Sequence, residues 1–151
     1  MLPLLIAAAV TVPAAQQAAI FTAAGFTRRA GKWRTDCDDA STPGYNAGAI
    51  ETYRDLNADG HPEAVVTEGG AFCYGSTETG FYLLTRQANG RWAKIFQSPG
   101  IAEFLPTRGV AKMPDISIGG PGFCFPVVRW NGKTYVQHRF QYEGKSCRPQ
   151  R

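Results

Sequence analysis

The sequence predicts an α+β domain that is mostly antiparallel β, with a short N-terminal helix before two hairpin modules in a small, disulfide-bonded sheet or sandwich. Seventeen Gly and 10 Pro indicate many tight turns. Nine Phe, six Tyr and three Trp favour strands over a helical bundle. A length of 151 residues with 44% hydrophobic content is typical of one globular domain.

The first 15 residues are predicted to be a signal peptide. They form an apolar run that is too short to span a bilayer and ends in small residues. The run contains no Lys or Arg, so a buried N-terminal helix is the alternative interpretation. The mature part, residues 16–151, is then a single domain, periplasmic or secreted, with no stable membrane insertion once the signal is removed.

Four cysteines fit an exported product, because an even count in a small exported domain usually forms a disulfide framework. No two of them stand in a CxxC pair, which argues against zinc and thioredoxin-like redox chemistry. Three pairings of the four are open. The shorter loops favour Cys37 with Cys73 and Cys124 with Cys147.

The domain is predicted to open with a helix over residues 16–24. Ile20, Phe21 and Ala24 would form its buried face, and Gly25 would end it. A hairpin over residues 26–35 and a turn-rich stretch over 36–48 are expected to follow.

Asn-Gly pairs between strand-like runs predict two further hairpins. We expect one-turn helix geometry for residues 101–105 and a two-residue type I′ turn at Asn131-Gly132. The predicted strands are residues 49–54, 63–67, 81–86, 91–97, 123–130 and 133–140.

Two stretches, about residues 49–97 and 110–143, resemble each other in their order of strand, glycine pair, Phe-Cys and Asn-Gly turn. A degenerate duplication explains the similarity. Convergence of two hairpins on the same turn residues explains it equally well.

The most specific motif is D-L-N-A-D-G-H-P-E over residues 55–63, which places oxygen-bearing side chains at relative positions 1, 3, 5 and 9 and glycine at position 6. Calcium takes six to eight oxygen ligands in flexible geometry. The candidate ligands are the side chains of Asp55, Asn57 and Asp59, the carbonyl of His61 and the closing carboxylate of Glu63.

This loop is not an EF-hand, because position 12 is Val66 and the flanks are predicted strands. Residues 53–66 instead resemble the strand, DxDxDGxxD loop, strand unit of FG-GAP and VCBS-type repeats. The resemblance implies a calcium-binding loop that stiffens a β-unit. A propeller needs at least four blades, more than this chain can supply, so a small free-standing domain is expected. The alternative is a metal-free run of Asx turns.

Charge is divided unevenly along the chain. Residues 36–85 carry nine acids and one base, a net charge of −8, whereas residues 86–151 carry a net charge of +8. The acidic part suits a cation site. The basic part suits either a solvated face or an anionic envelope partner. Nothing in the sequence indicates nucleic-acid binding, and a monomer is expected.

We therefore predict an exported, non-catalytic calcium-binding domain that acts as a binding or envelope-structural module, with an unidentified protein or anionic envelope component as its partner. The alternative is a proteinaceous inhibitor of an envelope hydrolase such as a lysozyme, which would insert residues 74–80. An enzyme is not expected, because the pairs Cys124 with His138 and Asp38 with Asp39 are better explained by a disulfide and by Asx turns.

Overall fold

A computed structural model describes residues 10–149 of the chain; most of the predicted signal segment, residues 1–9, lies outside the described residues. The described chain forms two α-helices, two 3₁₀ turns and eleven strands. Their bounds are α1 Ala14–Ala24, β1 Thr27–Arg29, β2 Lys32–Arg34, β3 Asn46–Arg54, β4 Glu63–Gly69, α2 Ala71–Tyr74, a 3₁₀ turn Gly75–Thr77, β5 Thr79–Arg86, β6 Trp92–Pro99, β7 Ile101–Arg108, a 3₁₀ turn Val110–Lys112, β8 Pro114–Gly119, β9 Phe125–Trp130, β10 Tyr135–Tyr142 and β11 Lys145–Ser146.

The strands form three antiparallel sheets. Strands β1 and β2 make a separate hairpin, β3-β4-β5-β6 make a four-stranded sheet, and β7-β8-β9-β10-β11 make a five-stranded sheet. Neighbouring strands are consecutive in sequence, so each large sheet is a simple meander. The α+β, mostly antiparallel fold predicted from composition is confirmed. The internal duplication stays a prediction.

The molecule has three layers, with the four-stranded sheet in the middle. Successive side chains of a strand point to opposite faces. In β4, accordingly, Ala64 and Val66 pack against α1, whereas Val65 packs against the five-stranded sheet. In β5, Tyr82 and Leu84 face α1 and the alternate residues face the other way. Burial on both faces explains why these two strands are nearly continuous apolar runs.

Helix α1 packs on the outer face of the four-stranded sheet as the sequence predicts. Ile20, Phe21 and Ala24 are buried, and Gly25 ends the helix with a φ of +97°. The Phe21 ring stacks on Trp33, with centroids 5.0 Å apart, which fastens the β1-β2 hairpin to the helix.

Two disulfides join Cys37 to Cys73 and Cys124 to Cys147, the predicted pairing. Such bonds persist in oxidising, exported compartments and are rare in the cytosol. Among residues 10–149, no helix has the length and apolarity to cross a membrane.

Two local predictions are wrong. Residues 101–105 form part of β7 rather than a helical turn, because Ile101 to Phe104 pair with β8 along a continuous register. The turn at Asn131-Gly132 spans four residues instead of two, since Trp130 pairs with Tyr135. The Asn131 side chain accepts hydrogen bonds from two following amides, and this Asx arrangement replaces type I′ geometry.

Two aromatic side chains, Phe72 and Phe123, are 54% and 77% exposed. Each directly precedes a disulfide-bonded cysteine, in α2 and in the loop before β9.

Candidate functional site

The predicted calcium loop connects β3 to β4 at one end of the four-stranded sheet. The chain wraps around the Asp55 carboxylate, which accepts hydrogen bonds from the backbone N–H groups of Asn57, Asp59 and Gly60 at 3.3, 3.3 and 2.8 Å. Gly60, with a φ of +86°, permits the bend. The bond from Gly60 contributes most to lowering the pKa of Asp55 below its usual value, so the carboxylate is charged at neutral pH.

Asp59 lies on the exposed side of the same loop. Its Oδ1 accepts a hydrogen bond from the His61 N–H at 2.8 Å. Both loop aspartates are solvent-exposed and keep lone pairs free, since an ionised carboxylate offers about four acceptor positions. Their oxygens are accessible to a cation from solvent.

Glu63 is fully buried at the base of the loop. It accepts hydrogen bonds from the Leu56 N–H and the Thr85 hydroxyl, both at 2.8 Å, and no ion pair to it is present in residues 10–149. Burial raises the pKa of Glu63, the two hydrogen bonds lower it, and the negative charges of Asp59 and Asp55 raise it further. The net direction is upward, as expected for a buried carboxylate with no positive partner.

Asn57 holds the one polar side-chain atom within residues 10–149 that is buried without a hydrogen-bond partner. The residue is 8% exposed. Its Nδ2 donates to the Ala111 carbonyl at 3.2 Å, which fixes the amide, while Oδ1 has no donor. Nearly all buried polar atoms in native proteins are satisfied, so this oxygen needs a partner that the chain does not supply.

The structure brings only part of the predicted ligand set together. In residues 10–149, no three acidic, histidine or cysteine side chains are grouped so that they could hold a metal ion by themselves. Asp55 and Asp59 share the exposed loop, whereas Glu63 lies in the protein beneath it. A cation bound here would therefore also use amide and carbonyl oxygens such as those of Asn57 and His61, which calcium accepts as ligands.

Several residues that shape the loop are far away in sequence and were not predicted. Thr85 lies 22 residues from Glu63 and pairs with it across β4 and β5. Arg108 and Ala111 lie 52 and 54 residues from their loop partners Leu56 and Asn57. A local motif carries no signal for such contacts.

The five-stranded sheet contains a second buried carboxylate, Asp115, at the start of β8. It is fully buried like Glu63 and also follows a proline. Arg129 donates to both of its oxygens, from Nε at 2.9 Å and Nη2 at 2.8 Å, and the Thr107 hydroxyl donates at 2.6 Å. Burial alone would raise the pKa of Asp115, but these bonds and the Arg129 charge outweigh it and lower the pKa.

A third buried carboxylate, Glu68, lies at the far end of β4 from the loop. Four hydroxyls converge on it: Tyr74 and Tyr82 donate to Oε1 at 2.7 and 2.6 Å, and Thr35 and Tyr45 donate to Oε2 at 2.7 and 2.6 Å. Burial and the contact with Glu68 raise the pKa of Tyr45 to about 12, so its hydroxyl remains a donor. All four carboxylate lone pairs are used, which leaves this cluster no capacity for an ion.

The remaining candidate pairs have structural partners. Cys124 is disulfide-bonded and cannot act as a nucleophile with His138. Asp38 pairs with Arg34 at 2.6 Å, and Asp39 accepts hydrogen bonds from Ser41.

Residues 74–80, the candidate insertion loop of an inhibitor, form a short surface turn. Tyr74 is held inward by its bonds to Glu68 and Tyr82, and it covers Gly80 so closely that a Cβ there would lie 2.2 Å from the ring. The exposed part is limited to residues 75–78, with Thr77 half-buried.

Comparison of the chain with protein-family models, with curated proteins and with solved structures finds no match.

Proposed function

We propose that the protein is an exported, non-catalytic domain that binds calcium in residues 55–63 and serves as a binding or envelope-structural module. The observation that carries the proposal is the buried Asn57 Oδ1 without a donor, in a residue that stands between Asp55 and Asp59 in the sequence of one loop. A buried oxygen without a partner lowers stability by about 1 to 3 kcal/mol.

A hard cation matches the chemistry of this loop better than any protein donor. The side chains of Asp55, Asn57 and Asp59, the carbonyl of His61 and the Glu63 carboxylate offer oxygen alone, the ligand type that Ca²⁺ prefers. When bound, calcium would supply two positive charges beside the exposed carboxylates of Asp55 and Asp59.

Electrostatics support the same proposal. Asp55, Asp59 and Glu63 repel one another within nine residues; burial is the main cause of the raised pKa of Glu63, and the charges of Asp59 and Asp55 add to it. The loop contains no basic residue between Asp55 and Glu63 other than His61. A divalent cation at the loop would reduce this repulsion.

Thermal unfolding in chelator and in 1 mM Ca²⁺ tests the proposal. A ligand that binds only the native state stabilises by RT ln(1 + [L]/Kd), so a Kd of roughly 10 to 100 μM gives about 1.4 to 2.7 kcal/mol. We expect the melting temperature to rise by roughly 4 to 10 °C. Mg²⁺ should do much less, because it gives up its waters reluctantly.

Two single-site variants locate the effect. Asp59→Ala removes an exposed loop ligand and should abolish the calcium shift. Glu103→Ala removes an exposed acid of β7 and should leave the shift intact. Identical melting in chelator and calcium, together with no binding heat in calorimetry, would leave the loop as a set of Asx turns and end the proposal.

A second candidate function, inhibition of an envelope hydrolase such as a lysozyme, is favoured by the exposed Phe72 and Phe123 rings beside the two disulfides. Rigid exposed aromatic side chains are common anchors of protein interfaces. Lysozyme activity should then fall on titration with the protein, and the double variant Phe72→Ala with Phe123→Ala should not inhibit. No loss of activity at micromolar protein contradicts this candidate.

A further inference from the structure

The proposed calcium loop, residues 55–63, connects two strands of the four-stranded sheet, but several of its residues contact the five-stranded sheet and its β7-β8 connection. The Leu56 side chain is 7% exposed and packs in the core between the sheets. The Leu56 carbonyl accepts a hydrogen bond from Arg108 Nη1 at 2.8 Å. Asn57 Nδ2 donates to the Ala111 carbonyl at 3.2 Å. Both partners lie at or within the connection from β7 to β8.

That connection, residues 109–113, is held in a costly conformation. Ala111 and Lys112 have φ of +55° and +61°, a region that costs non-glycine residues roughly 1 to 2 kcal/mol each. Such backbone persists only where its surroundings hold it. Arg108 Nη1 provides one restraint, since the same nitrogen donates to Leu56 O at 2.8 Å and to Lys112 O at 2.7 Å. Asn57 provides a second one from the calcium loop, in addition to the connection's own backbone bonds from Gly109 N–H to Met113 O at 2.9 Å and from Met113 N–H to Val110 O at 3.2 Å.

We infer that calcium bound in residues 55–63 also orders the β7-β8 connection, with Arg108 as the positioning residue that links the two. This inference rests on the proposed calcium site and adds a regulated second element to it. Without the cation, repulsion among Asp55, Asp59 and Glu63 loosens the loop and, with it, the two anchors of residues 109–113. With the cation, the loop is fixed, and the strained connection is fixed through Arg108 and Asn57.

The consequence reaches the protein surface. Residues 108–110 also line a cavity of about 530 Å³ together with Arg129, Trp130 and His138. Val110 stands at its wall with a 53% exposed side chain. Calcium in one sheet therefore controls the shape of a basic and aromatic cavity on the other.

Hydrogen–deuterium exchange of the full chain in chelator and in 1 mM Ca²⁺ tests the inference, because local opening is what exchange measures. For a Kd of roughly 10 to 100 μM, amides of both residues 55–63 and 109–113 should exchange about 10- to 100-fold more slowly in calcium. In Arg108→Ala the loop should keep its calcium-dependent protection, and residues 109–113 should keep only the smaller part that Asn57 transmits through its bond to Ala111. Arg91→Ala removes the same charge from an exposed turn and should behave as the wild type.

The outcomes separate this inference from the proposed function. Calcium-dependent protection confined to residues 55–63 in the wild type would overturn the coupling and leave the calcium site standing. Equal protection of residues 109–113 in wild type and Arg108→Ala would also overturn it. No binding heat in calorimetry would remove the site and the coupling together.

Discussion

Glu63 and Asp115 occupy matching places in the two large sheets, yet their pKa values shift in opposite directions. Both are fully buried, both follow a proline at the start of a strand, and each faces a side chain of the neighbouring strand. Asp115 faces Arg129, whose guanidinium lowers its pKa. Glu63 faces Thr85, and its pKa is raised.

The difference teaches where each sheet obtains its positive charge. A buried carboxylate is expensive unless a cation or a full set of hydrogen-bond donors compensates it, as four hydroxyls do for Glu68. The five-stranded sheet carries that cation covalently, as the Arg129 side chain. At Glu63 the four-stranded sheet offers only two uncharged donors, and an acid-rich loop lies next to them. This arrangement is expected where a cation from solvent supplies the missing positive charge.

The largest loss of stability is expected when the buried carboxylate of the five-stranded sheet, Asp115, loses its arginine partner and so resembles Glu63. Arg129→Thr leaves Asp115 buried and uncompensated, which should lower the free energy of unfolding by about 3 kcal/mol. Urea unfolding at pH 7 measures the loss. Adding Asp115→Asn to this variant removes the unpaired charge and should recover much of it. A single variant as stable as the wild type would show that Asp115 needs no cation.

The converse change supplies the four-stranded sheet with its own cation. Thr85→Arg places a guanidinium opposite Glu63, and a charged hydrogen bond there should raise the stability of the calcium-free protein by about 1.5 kcal/mol. The calcium-dependent rise in melting temperature should shrink or vanish. Thr85→Met has similar length and no charge, so it should show no gain in chelator. An unchanged calcium-dependent rise in melting temperature in Thr85→Arg would contradict the idea that an arginine can replace calcium beside Glu63.

The pH dependence of stability sharpens the comparison. The raised pKa of Glu63 means that its proton stabilises the native state below the ordinary value of 4.5, and this contribution is lost as the pH rises through the raised value. In chelator, the stability advantage of Glu63→Gln over the wild type should therefore grow from pH 4.5 towards pH 7.

The pKa of Asp115 is shifted in the opposite direction. Its lowered pKa contributes stability above the ordinary value of 3.8, and this contribution is lost as the pH falls through the lowered value. The disadvantage of Asp115→Asn should therefore shrink in acid. Urea midpoints over a pH series measure both trends, and parallel curves for the two variants would contradict the opposite shifts.

The smallest effect concerns backbone strain, which is present in the β3-β4 connection and in the β7-β8 connection. Ala58 and Ala111 have φ of +59° and +55°. Replacement of either by glycine relieves the strain, which more than offsets the greater freedom of the unfolded chain, so each variant should gain about 0.5 kcal/mol. Ala88→Gly, in a turn without positive φ at that residue, should lose stability instead. Thermal unfolding in chelator compares the three.

A structural element could be predicted from the sequence when the contacts that determine it lie within a short segment of the chain. Gly25 after an apolar helix face and the turn residues of the hairpin over residues 26–35 are local signals, and loop length favours the disulfide pairing; the structure confirms the helix, the hairpin and both bridges. The prediction of a helical turn for residues 101–105 was wrong because a short apolar run is compatible with a helix or a strand, and here its pairing with β8 makes it a strand.

The candidate site divides in the same way. The ligand types and spacing of residues 55–63 can be recognised from the motif alone, and the hydrogen bonds around Asp55 follow from it. The burial of Glu63 and Asn57 and the anchors Thr85, Arg108 and Ala111 arise from pairing and packing between segments 22 to 54 residues apart. No local pattern encodes those distances.

The hydroxyl cluster around Glu68 bears on how the molecule unfolds. Its four donors come from the segment after β2, the segment before β3, helix α2 and strand β5, so the carboxylate is fully satisfied only when all four are in place. Loss of any one segment exposes a buried charge to incomplete solvation, which penalises partly folded states. These bonds join the hairpin layer to the four-stranded sheet, so we expect the two layers to unfold as one cooperative unit, with a single transition for probes placed in either layer.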